Sequence, residues 1–561
     1  MWKKSVGYFL GIVSSITITT PALAAERIVF NYPPFGDFDI ATADLEVFVN
    51  KGEITKDFGF YANRANPEQL KLARNFLSTK FPVSPTLVSQ FTYSPIGEKM
   101  LQRFGELIQT QNRQNGFYAL RSALILSAAS SEGLSLVNIV KNYSSPSIRL
   151  NFSETVQTMG QLSELIQKRD VVIAKIQQLA NQEATNLPPI DFNQRPDIRK
   201  SGTFNTTKIT INLHDRSRDG QSRTVLERKY DVDVYLPQAE SATPYPVIVI
   251  SHGLADNRNG FVYLAQHLAS HGFAVAALDH PVANSKQFQQ FLAGIASPPR
   301  PTELIDRPLD IKYLLDELQR LSETDSRFKN KLNLQQVGVI GHSLGGYTAL
   351  ALAGGSFDFA KIRQECNPNR SLNISTFLQC RALDLKPDNY PIKDDRVKAI
   401  MVMNPLGSVI FGQKGMSTIP VPVMMVAGSQ DIFTPAVPEQ IRPFTNLPSK
   451  DKYLAVIENG THFSVQSDLP NGENVIPVPQ GLLGPDRKNV HTYMNALGVA
   501  FFQTYLSDGL RPTVGHRQEY KSYLTPAYAQ FISQSPLNLT LVDSGDGEKI
   551  SQLLSQVYQT P

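Results

Sequence analysis

The run Val337–Gly346 constrains the fold more than any other stretch, because an apolar, β-branched strand ends there in the pattern G-x-S-x-G-G. Helix-forming residues follow directly, from Tyr347 to Ala353. Glycines two positions either side of Ser343 leave space where a strand and a helix converge, since no Cβ fits there. Such a turn lifts the hydroxyl clear of the sheet and directs backbone N–H groups toward a reacting oxygen. The pattern predicts a nucleophilic serine at position 343.

An acid and a base follow Ser343 in the order that such a nucleophile requires. Val421–Gly428 has the composition of a buried parallel strand, and Asp431 lies in the loop just after it. Lys452–Ile457 is the next predicted strand, and the turn behind it leads to His462. We expect His462 to take the serine proton, and Asp431 to orient the imidazole and stabilise its charged form.

Two simpler interpretations of these residues stay open at this point. The less favoured alternatives are a turn carboxylate at Asp431 and a surface-turn histidine at His462. The rival position for the acid follows the strand Ile400–Met403, but the residue there is Asn404, which cannot carry the negative charge. Asp431 is therefore the acid that we predict.

A second oxyanion donor is predicted upstream, where the strand Pro246–Ile250 runs into an S-H-G-L loop. The backbone N–H of Leu254 in that loop is expected to join the N–H of Leu344, the residue after the nucleophile. We expect His252 and His342, which belong to these two motifs, to shape the loops around the serine. The sequence reveals no partner for the remaining histidines.

The periodicity of the chain indicates an α/β fold behind a mainly helical segment. Lys208–Leu213 and Tyr230–Tyr235 alternate like antiparallel strands, and strands and helices alternate after them, which predicts a mostly parallel sheet with helices on both faces. The segment before them has helix signals such as Asn66–Glu68, with a capping side chain and then a proline. The expected order is signal peptide 1–24, helical domain 25–183, linker 184–202, catalytic domain 203–510 and C-terminal extension 511–561.

The first 24 residues predict export. Lys3 and Lys4 precede the apolar stretch Val6–Ile18, and Ala22–Ala24 offers a small-x-small cleavage site. An uncleaved anchor is the alternative. Removing the two lysines lowers the formal net charge of +4 by two, and so small an excess points to neither nucleic acid nor an anionic membrane as partner. We expect a soluble mature chain in the periplasm or outside the cell.

Cys366 and Cys380 are the two cysteines of the chain, and export favours a disulfide between them over free thiols. They lack a C-x-x-C spacing, and no two histidines stand at i, i+4 beside a carboxylate. We therefore expect no metal site.

Three segments of the sequence are candidates for covering Ser343 or for meeting a lipid surface. Ser153–Ala180 predicts a long helix with an apolar stripe, which suits either a lid or lipid-surface helix or, as we favour, packing on the catalytic domain. The insertions Ala283–Ile305 and Gly354–Asp394 could each lie over the serine, since loops at the carboxyl ends of strands bind ligands in such folds.

Three segments resemble the platelet-activating-factor acetylhydrolase branch of the α/β-hydrolases and bacterial dienelactone-hydrolase-like proteins: Val249–Leu254, Leu268–His280 and Val339–Gly346. The resemblance covers roughly residues 203–510 and implies an α/β-hydrolase fold that cleaves carboxylic esters, such as short acyl groups on lipids, without a cofactor. Two departures stand out. Dienelactone hydrolases have a cysteine where this chain has Ser343, and the acetylhydrolases place their acid at the position of Asn404.

The segment from Phe30 to about Tyr143 resembles a domain of unknown function found ahead of such hydrolases in secreted bacterial proteins. Matching runs include Asp44–Phe48, Gly97–Leu101 and Ala119–Leu124. This resemblance implies an architecture and no activity.

Together these features predict a secreted serine hydrolase that cleaves carboxylic esters through Ser343, Asp431 and His462. The expected partner is a small ester or lipid, with transient contact to a lipid surface and no nucleic acid; the sequence does not indicate an oligomeric state. An amidase or peptidase on the same fold is one alternative, because the machinery is shared. The other is a non-catalytic envelope binding protein, although no member of the expected triad is missing.

Overall fold

The computed structural model describes residues 24–218, 228–238, 243–366, 371–467, 480–506 and 514–559. The expected signal peptide lies outside these residues apart from Ala24, so it stays a prediction. The chain divides into two compact units, one ending at Gln157 and the other beginning at Thr158. The domain boundaries expected from the sequence also stay predictions. Among the described residues, no helix is both long and apolar enough to cross a membrane.

The first unit is mainly helical, as predicted, and it also contains a small sheet that was not predicted. Its helices are α1 (Thr42–Lys51), α2 (Lys56–Ala62), α3 (Pro67–Ser78), α4 (Pro85–Thr92), α5 (Pro95–Leu107), α6 (Phe117–Ala129) and α7 (Leu136–Lys141). The predicted start of α3 is confirmed, because the Asn66 side chain accepts the N–H of Gln69 over 2.8 Å and Pro67 follows it. The sheet has the order β2-β1-β4-β3, built from β1 (Arg27–Tyr32), β2 (Gly36–Ala41), β3 (Ile108–Thr110) and β4 (Ser147–Leu150).

The second unit contains a mostly parallel sheet. Among the described residues, nine strands lie in the order β13-β12-β11-β10-β9-β7-β8-β6-β5. Pairs from β8 through β7, β9, β10 and β11 to β12 are parallel, and the flanking pairs are antiparallel. The strands are β5 (Thr206–Asp215), β6 (Arg228–Pro237), β7 (Tyr245–Ser251), β8 (Ala274–Leu278), β9 (Leu332–His342), β10 (Val397–Met403), β11 (Val423–Gly428), β12 (Lys452–Ile457) and β13 (Leu539–Asp543).

Helices cover both faces of this sheet, as predicted. Because strand side chains alternate in direction, Val339 and Val402 face one core while Ile340 and Met401 face the other. The larger helices are α8 (Phe152–Asn186), α9 (Val262–Ser270), α10 (Ser285–Leu292), α11 (Glu303–Thr324), α12 (Leu344–Leu352) and α18 (Lys488–Tyr505). The others are α13 (Phe359–Cys366), α14 (Ser375–Gln379), α15 (Ser408–Met416), α16 (Arg442–Asn446), α17 (Gln480–Leu483), α19 (Val514–Lys521), α20 (Pro526–Ile532) and α21 (Gly547–Gln559).

The apolar stripe of α8 has two different environments. Ile173 and Ile176 are buried in the core of the second unit, as the packing interpretation predicts. Met159 and Leu162 are 61% and 42% exposed. The expected disulfide is confirmed, since Cys366 and Cys380 are bonded with their Cα atoms 5.5 Å apart.

Backbone segments from β7 and α12 approach each other at Gly345. A Cβ added to Gly345 would lie 2.0 Å from the carbonyl oxygen of Ser251, and one added to Gly341 would lie 2.1 Å from the oxygen of Gly345. Neither distance is compatible with a side chain, because the contacted atoms belong to the main chain. The glycines of the G-x-S-x-G pattern are therefore required by the close packing of α12 against the ends of β7 and β9.

We predict that Gly345→Ala lowers the free energy of unfolding by about 1–3 kcal/mol, the usual cost of forcing an extra carbon into a packed core. Gly160→Ala is the matched control, because Gly160 lies inside α8 with nothing within 4 Å of its added Cβ. That variant should gain about 0.5–1 kcal/mol from improved helix propensity. Denaturant unfolding of both variants measures the difference, and equal effects would contradict the packing argument.

Candidate active site

Ser343 occupies the turn between β9 and α12, as the sequence predicts. Its backbone has φ +54° and ψ −118°, a conformation rarely adopted by residues other than glycine. The N–H of Ser343 donates to the oxygen of Met403 at the end of β10 over 3.0 Å, which holds the turn on the sheet. The side chain remains 8% exposed at the carboxyl edge of the sheet.

His462 and Asp431, which lie in the loops after β12 and β11, are brought into direct contact. His462 Nδ1 lies 2.7 Å from Asp431 Oδ2, and both residues are buried. The carboxylate also accepts the N–H groups of Phe433 and Thr434, each over 2.8 Å, and the hydroxyl of Thr434 over 2.7 Å. These bonds fix the carboxylate so that one oxygen faces the imidazole.

The loop that carries His462 lies beside the serine turn. His342 Nε2 bonds the carbonyl oxygen of His462 over 2.9 Å, and the two rings have centroids 4.7 Å apart. Burial, followed by the charge of His462, holds the pKa of His342 well below its usual range, so its ring is neutral. His342 therefore joins the serine turn to the histidine loop, which is the shaping role that we expected for it.

Asn404, the rival position for the acid, directly follows β10, and its amide makes structural hydrogen bonds. The amide nitrogen donates to the carbonyl oxygens of Thr461 and His462, each over 3.2 Å, while the amide oxygen accepts the N–H of Gly428 over 2.9 Å. An aspartate here would present an oxygen to two carbonyls and lose both donated bonds. The side chain thus holds the histidine loop against β11, and Asp431 is left as the carboxylate in contact with His462.

The S-H-G-L loop after β7 packs its main chain on the serine. A Cβ added to Gly253 would lie 3.3 Å from Ser343 Cβ and 3.1 Å from His342 Nδ1. Leu344 is the first residue of α12, so its N–H has no acceptor within the helix. In the part of the chain that the structure describes, the N–H of Leu254 has no hydrogen-bond acceptor either. Neither predicted oxyanion donor has a main-chain acceptor among the residues that the structure describes.

A cavity of about 300 Å³ opens beside His462. Its lining comes from the loops after β11 and β12, from α17 and from the residues directly after α17, so neither of the two insertions that we expected to cover the serine contributes to it. Most of the surface is apolar. The lining side chains include Ile432, Phe433, Thr461, Leu482 and Pro485.

The sequence analysis missed two residues around the site. Thr434 is one, although the pattern D-x-x-T after a strand is a known turn signal. His280 is the second: its ring bonds Ser251 Oγ over 2.9 Å and Asp310 Oδ2 over 3.0 Å. The position of His280 just after β8 is a signal for a site residue. Its partner Asp310 was not recognisable from the sequence, because it lies 30 residues further on, inside a helix.

Two family models and a relative match segments of this chain, and all three are hydrolases by description. Residues 246–356 match the family model described as "alpha/beta hydrolase fold", and residues 24–151 match "Alpha/beta hydrolase of unknown function (DUF1400)". The second match confirms the resemblance of the N-terminal segment to a domain of unknown function. A cutinase, est1 of Thermobifida alba, is 24% identical over 233 residues, which are 41% of this chain.

The matched region spans 57% of the length of that cutinase. None of these three matches identifies the acetylhydrolase-like branch, so that narrower resemblance stays a prediction. The family matches cover the strand-to-helix turn and the segment before the catalytic sheet, and the sheet itself has the expected parallel centre. On these grounds the second unit contains an α/β-hydrolase fold.

Proposed function

We propose that the chain is an exported serine esterase that cleaves carboxylic esters of uncharged, lipid-like substrates through an acyl-enzyme. The observation that carries the proposal is the contact between His462 Nδ1 and Asp431 Oδ2, with Ser343 raised on its turn nearby. An imidazole oriented by a buried carboxylate is the base that a serine nucleophile needs.

In the proposed reaction, Ser343 Oγ forms a bond to the ester carbonyl carbon as its proton passes to His462 Nε2. The carbonyl oxygen becomes an oxyanion, which the N–H groups of Leu254 and Leu344 stabilise. Asp431 stabilises the imidazolium that forms. Cleavage of the bond to the alkoxy group then releases the alcohol, which takes the proton from His462 and leaves Ser343 acylated.

Water then hydrolyses the acyl-enzyme, and His462 again acts first as the base and then as the acid. His462 accepts a proton from water as the water oxygen attacks the acyl carbon, and the oxyanion forms again between the two N–H groups. Collapse of this intermediate breaks the bond to Ser343 Oγ, which regains its proton from His462. A carboxylic acid and the free enzyme result, and the cycle uses no cofactor.

The surroundings of the site support an uncharged substrate. Ile432, Phe433 and Leu482 give the cavity beside His462 largely apolar walls. Apolar walls favour an acyl chain or an alcohol over a charged group, because a charge would lose its hydration there. The resemblance to acetylhydrolases and the similarity to a cutinase both support an ester rather than an amide.

Export is supported by the disulfide between Cys366 and Cys380, because such bonds persist in oxidising compartments. The apolar segment near the N terminus and its small-residue cleavage site support the same proposal. The proposed location is the periplasm or the outside of the cell.

We predict that the mature chain hydrolyses p-nitrophenyl esters and that Ser343→Ala lowers kcat at least about 10⁴-fold, as removal of such a nucleophile does elsewhere. The series from acetyl to palmitoyl measures the length of acyl chain that the site accepts. Ser322→Ala is the matched control, since its hydroxyl makes a solvent-exposed bond to the Gln319 carbonyl near the C-terminal end of α11. Cleavage of p-nitroanilides but no ester would favour the amidase, and no turnover by the folded protein would favour the binding protein.

A second prediction concerns the position of the acid. Asp431→Asn should lower kcat by about 10⁴, because the imidazole then loses its oriented tautomer. Adding Asn404→Asp to that variant should not restore activity, since the amide of Asn404 is needed to donate to two carbonyls. Steady-state kinetics with the preferred ester compare the single and double variants. Recovery in the double variant would contradict the assignment of the acid to Asp431.

A further inference from the structure

The peptide group between Gly253 and Leu254 carries one of the two proposed oxyanion donors, the N–H of Leu254. A trans peptide is planar, so its C=O and N–H point in opposite directions and fixing one fixes the other. The oxygen of Gly253 lies 2.7 Å from His252 Nδ1. The side chain of His252 therefore controls the direction of the Leu254 N–H.

The tautomer of His252 is set by a neighbouring main-chain group. The N–H of His280 donates to His252 Nε2 over 3.0 Å, which makes Nε2 an acceptor and leaves the proton on Nδ1. Burial, reinforced by the charge of Arg307, holds the pKa of His252 well below its usual range, so the ring is neutral. Only this tautomer of the neutral ring can donate to the Gly253 oxygen.

His280 is itself held by a buried chain of hydrogen bonds that ends on α11. Its Nδ1 lies 3.0 Å from Asp310 Oδ2, and its Nε2 lies 2.9 Å from Ser251 Oγ. Burial lowers the pKa of His280 to about 3, so the neutral ring donates to Asp310 and accepts from the serine. Arg228 bonds both oxygens of Asp310, which compensates the buried carboxylate. The ring of His280 therefore has one orientation, and its main-chain N–H is held with it.

Arg307 holds the first half of the same loop. Its guanidinium is fully buried, and Nη2 donates to the carbonyl oxygen of His252 and to Ser251 Oγ, the latter over 3.4 Å. Nε donates to the hydroxyl of Thr348 on α12 over 3.3 Å. Arg307 thus ties the loop to the helix that begins directly after Ser343. The carbonyls of His252 and Gly253, the two that precede Leu254, are each held by a buried donor.

We propose that His252, His280 and Arg307 are positioning residues that lock the Leu254 N–H in the direction of the oxyanion. This inference rests on the proposed ester hydrolysis. A donor that is fixed before the reaction requires no reorganisation as negative charge develops. The network therefore raises kcat and leaves KM nearly unchanged, because the ground-state carbonyl gains little from it.

The test replaces His252 by leucine, which fills a similar volume and cannot donate. We expect His252→Leu to lower kcat about 100-fold, the effect of losing one oxyanion donor, with KM changed less than about threefold. His267→Leu is the matched control. His267 is also buried and neutral, with a pKa lowered to about 4 by burial and by His271, and it bonds the main-chain oxygen of Ile198. Its kcat should stay within about twofold of the parent value.

A transition-state analogue separates positioning from a general loss of structure. A trifluoromethyl ketone accepts Ser343 Oγ at its carbonyl carbon, the proton passes to His462, and the resulting hemiketal oxygen is anionic like the oxyanion. We expect its Ki to rise in His252→Leu by the same factor by which kcat/KM falls. His252→Asn should recover most of the loss, since its amide nitrogen lies near the place of Nδ1. His252→Gln, whose amide lies one carbon further out, should not.

Two results would overturn the inference while the proposed function stands. One is a kcat of His252→Leu equal to that of His267→Leu in a parent enzyme that hydrolyses esters. The other is equal kcat and Ki in His252→Asn and His252→Gln, a comparison that holds even where the leucine variant does not fold. A folded parent protein that hydrolyses no ester would instead overturn the proposed function, and the inference with it.

Discussion

The approach of three main-chain segments around Ser343 is the constraint on which the rest of the site depends. Gly341 and Gly345 let β9 turn into α12 against the end of β7, and Gly253 brings the loop after β7 onto the serine. A Cβ at 341 or 345 would meet main-chain oxygens about 2 Å away, so a side chain at either position would force these segments apart. The same packing brings the loop that leads to Leu254 against the turn that leads to Leu344. Strain at Ser343, with φ +54°, is held by the surrounding sheet.

Much of the site could be predicted because each element follows a strand in the parallel sheet. The carboxyl ends of such strands share one edge, so Ser343, Asp431 and His462 were expected together from their order alone. The contact between His462 and Asp431 agrees with that expectation. The small N-terminal sheet was missed for the opposite reason. Its strands have three to six residues, and β1 pairs with β4 over a separation of 120 residues.

The hydrogen-bond network of His252, His280 and Arg307 behind the S-H-G-L loop could not be predicted from the sequence either. His280 and Asp310 belong to a strand end and a helix with no shared local pattern, and a buried hydrogen bond between them leaves no periodic signal in the sequence. The structural role of Asn404 was likewise not predictable from the sequence. An amide rather than a carboxylate is needed there because the side chain donates to two main-chain carbonyls, and these come from a distant loop. His280, for which the sequence revealed no partner, is a neutral, buried connector in the fold, as are the motif residues His252 and His342, and burial lowers the pKa of each.

The most direct test of the central claim is the reaction of the mature, folded chain with a fluorophosphonate, followed by peptide mapping. Ser343 is 8% exposed and lies on the turn that contacts the His462 loop, whereas Ser251 is fully buried and bonds His280, which is paired with Asp310. The account predicts one phosphonyl adduct, on Ser343, and none after heat unfolding, because only the folded site activates the hydroxyl. No adduct on the folded protein, or an adduct on Ser251 instead, would contradict it.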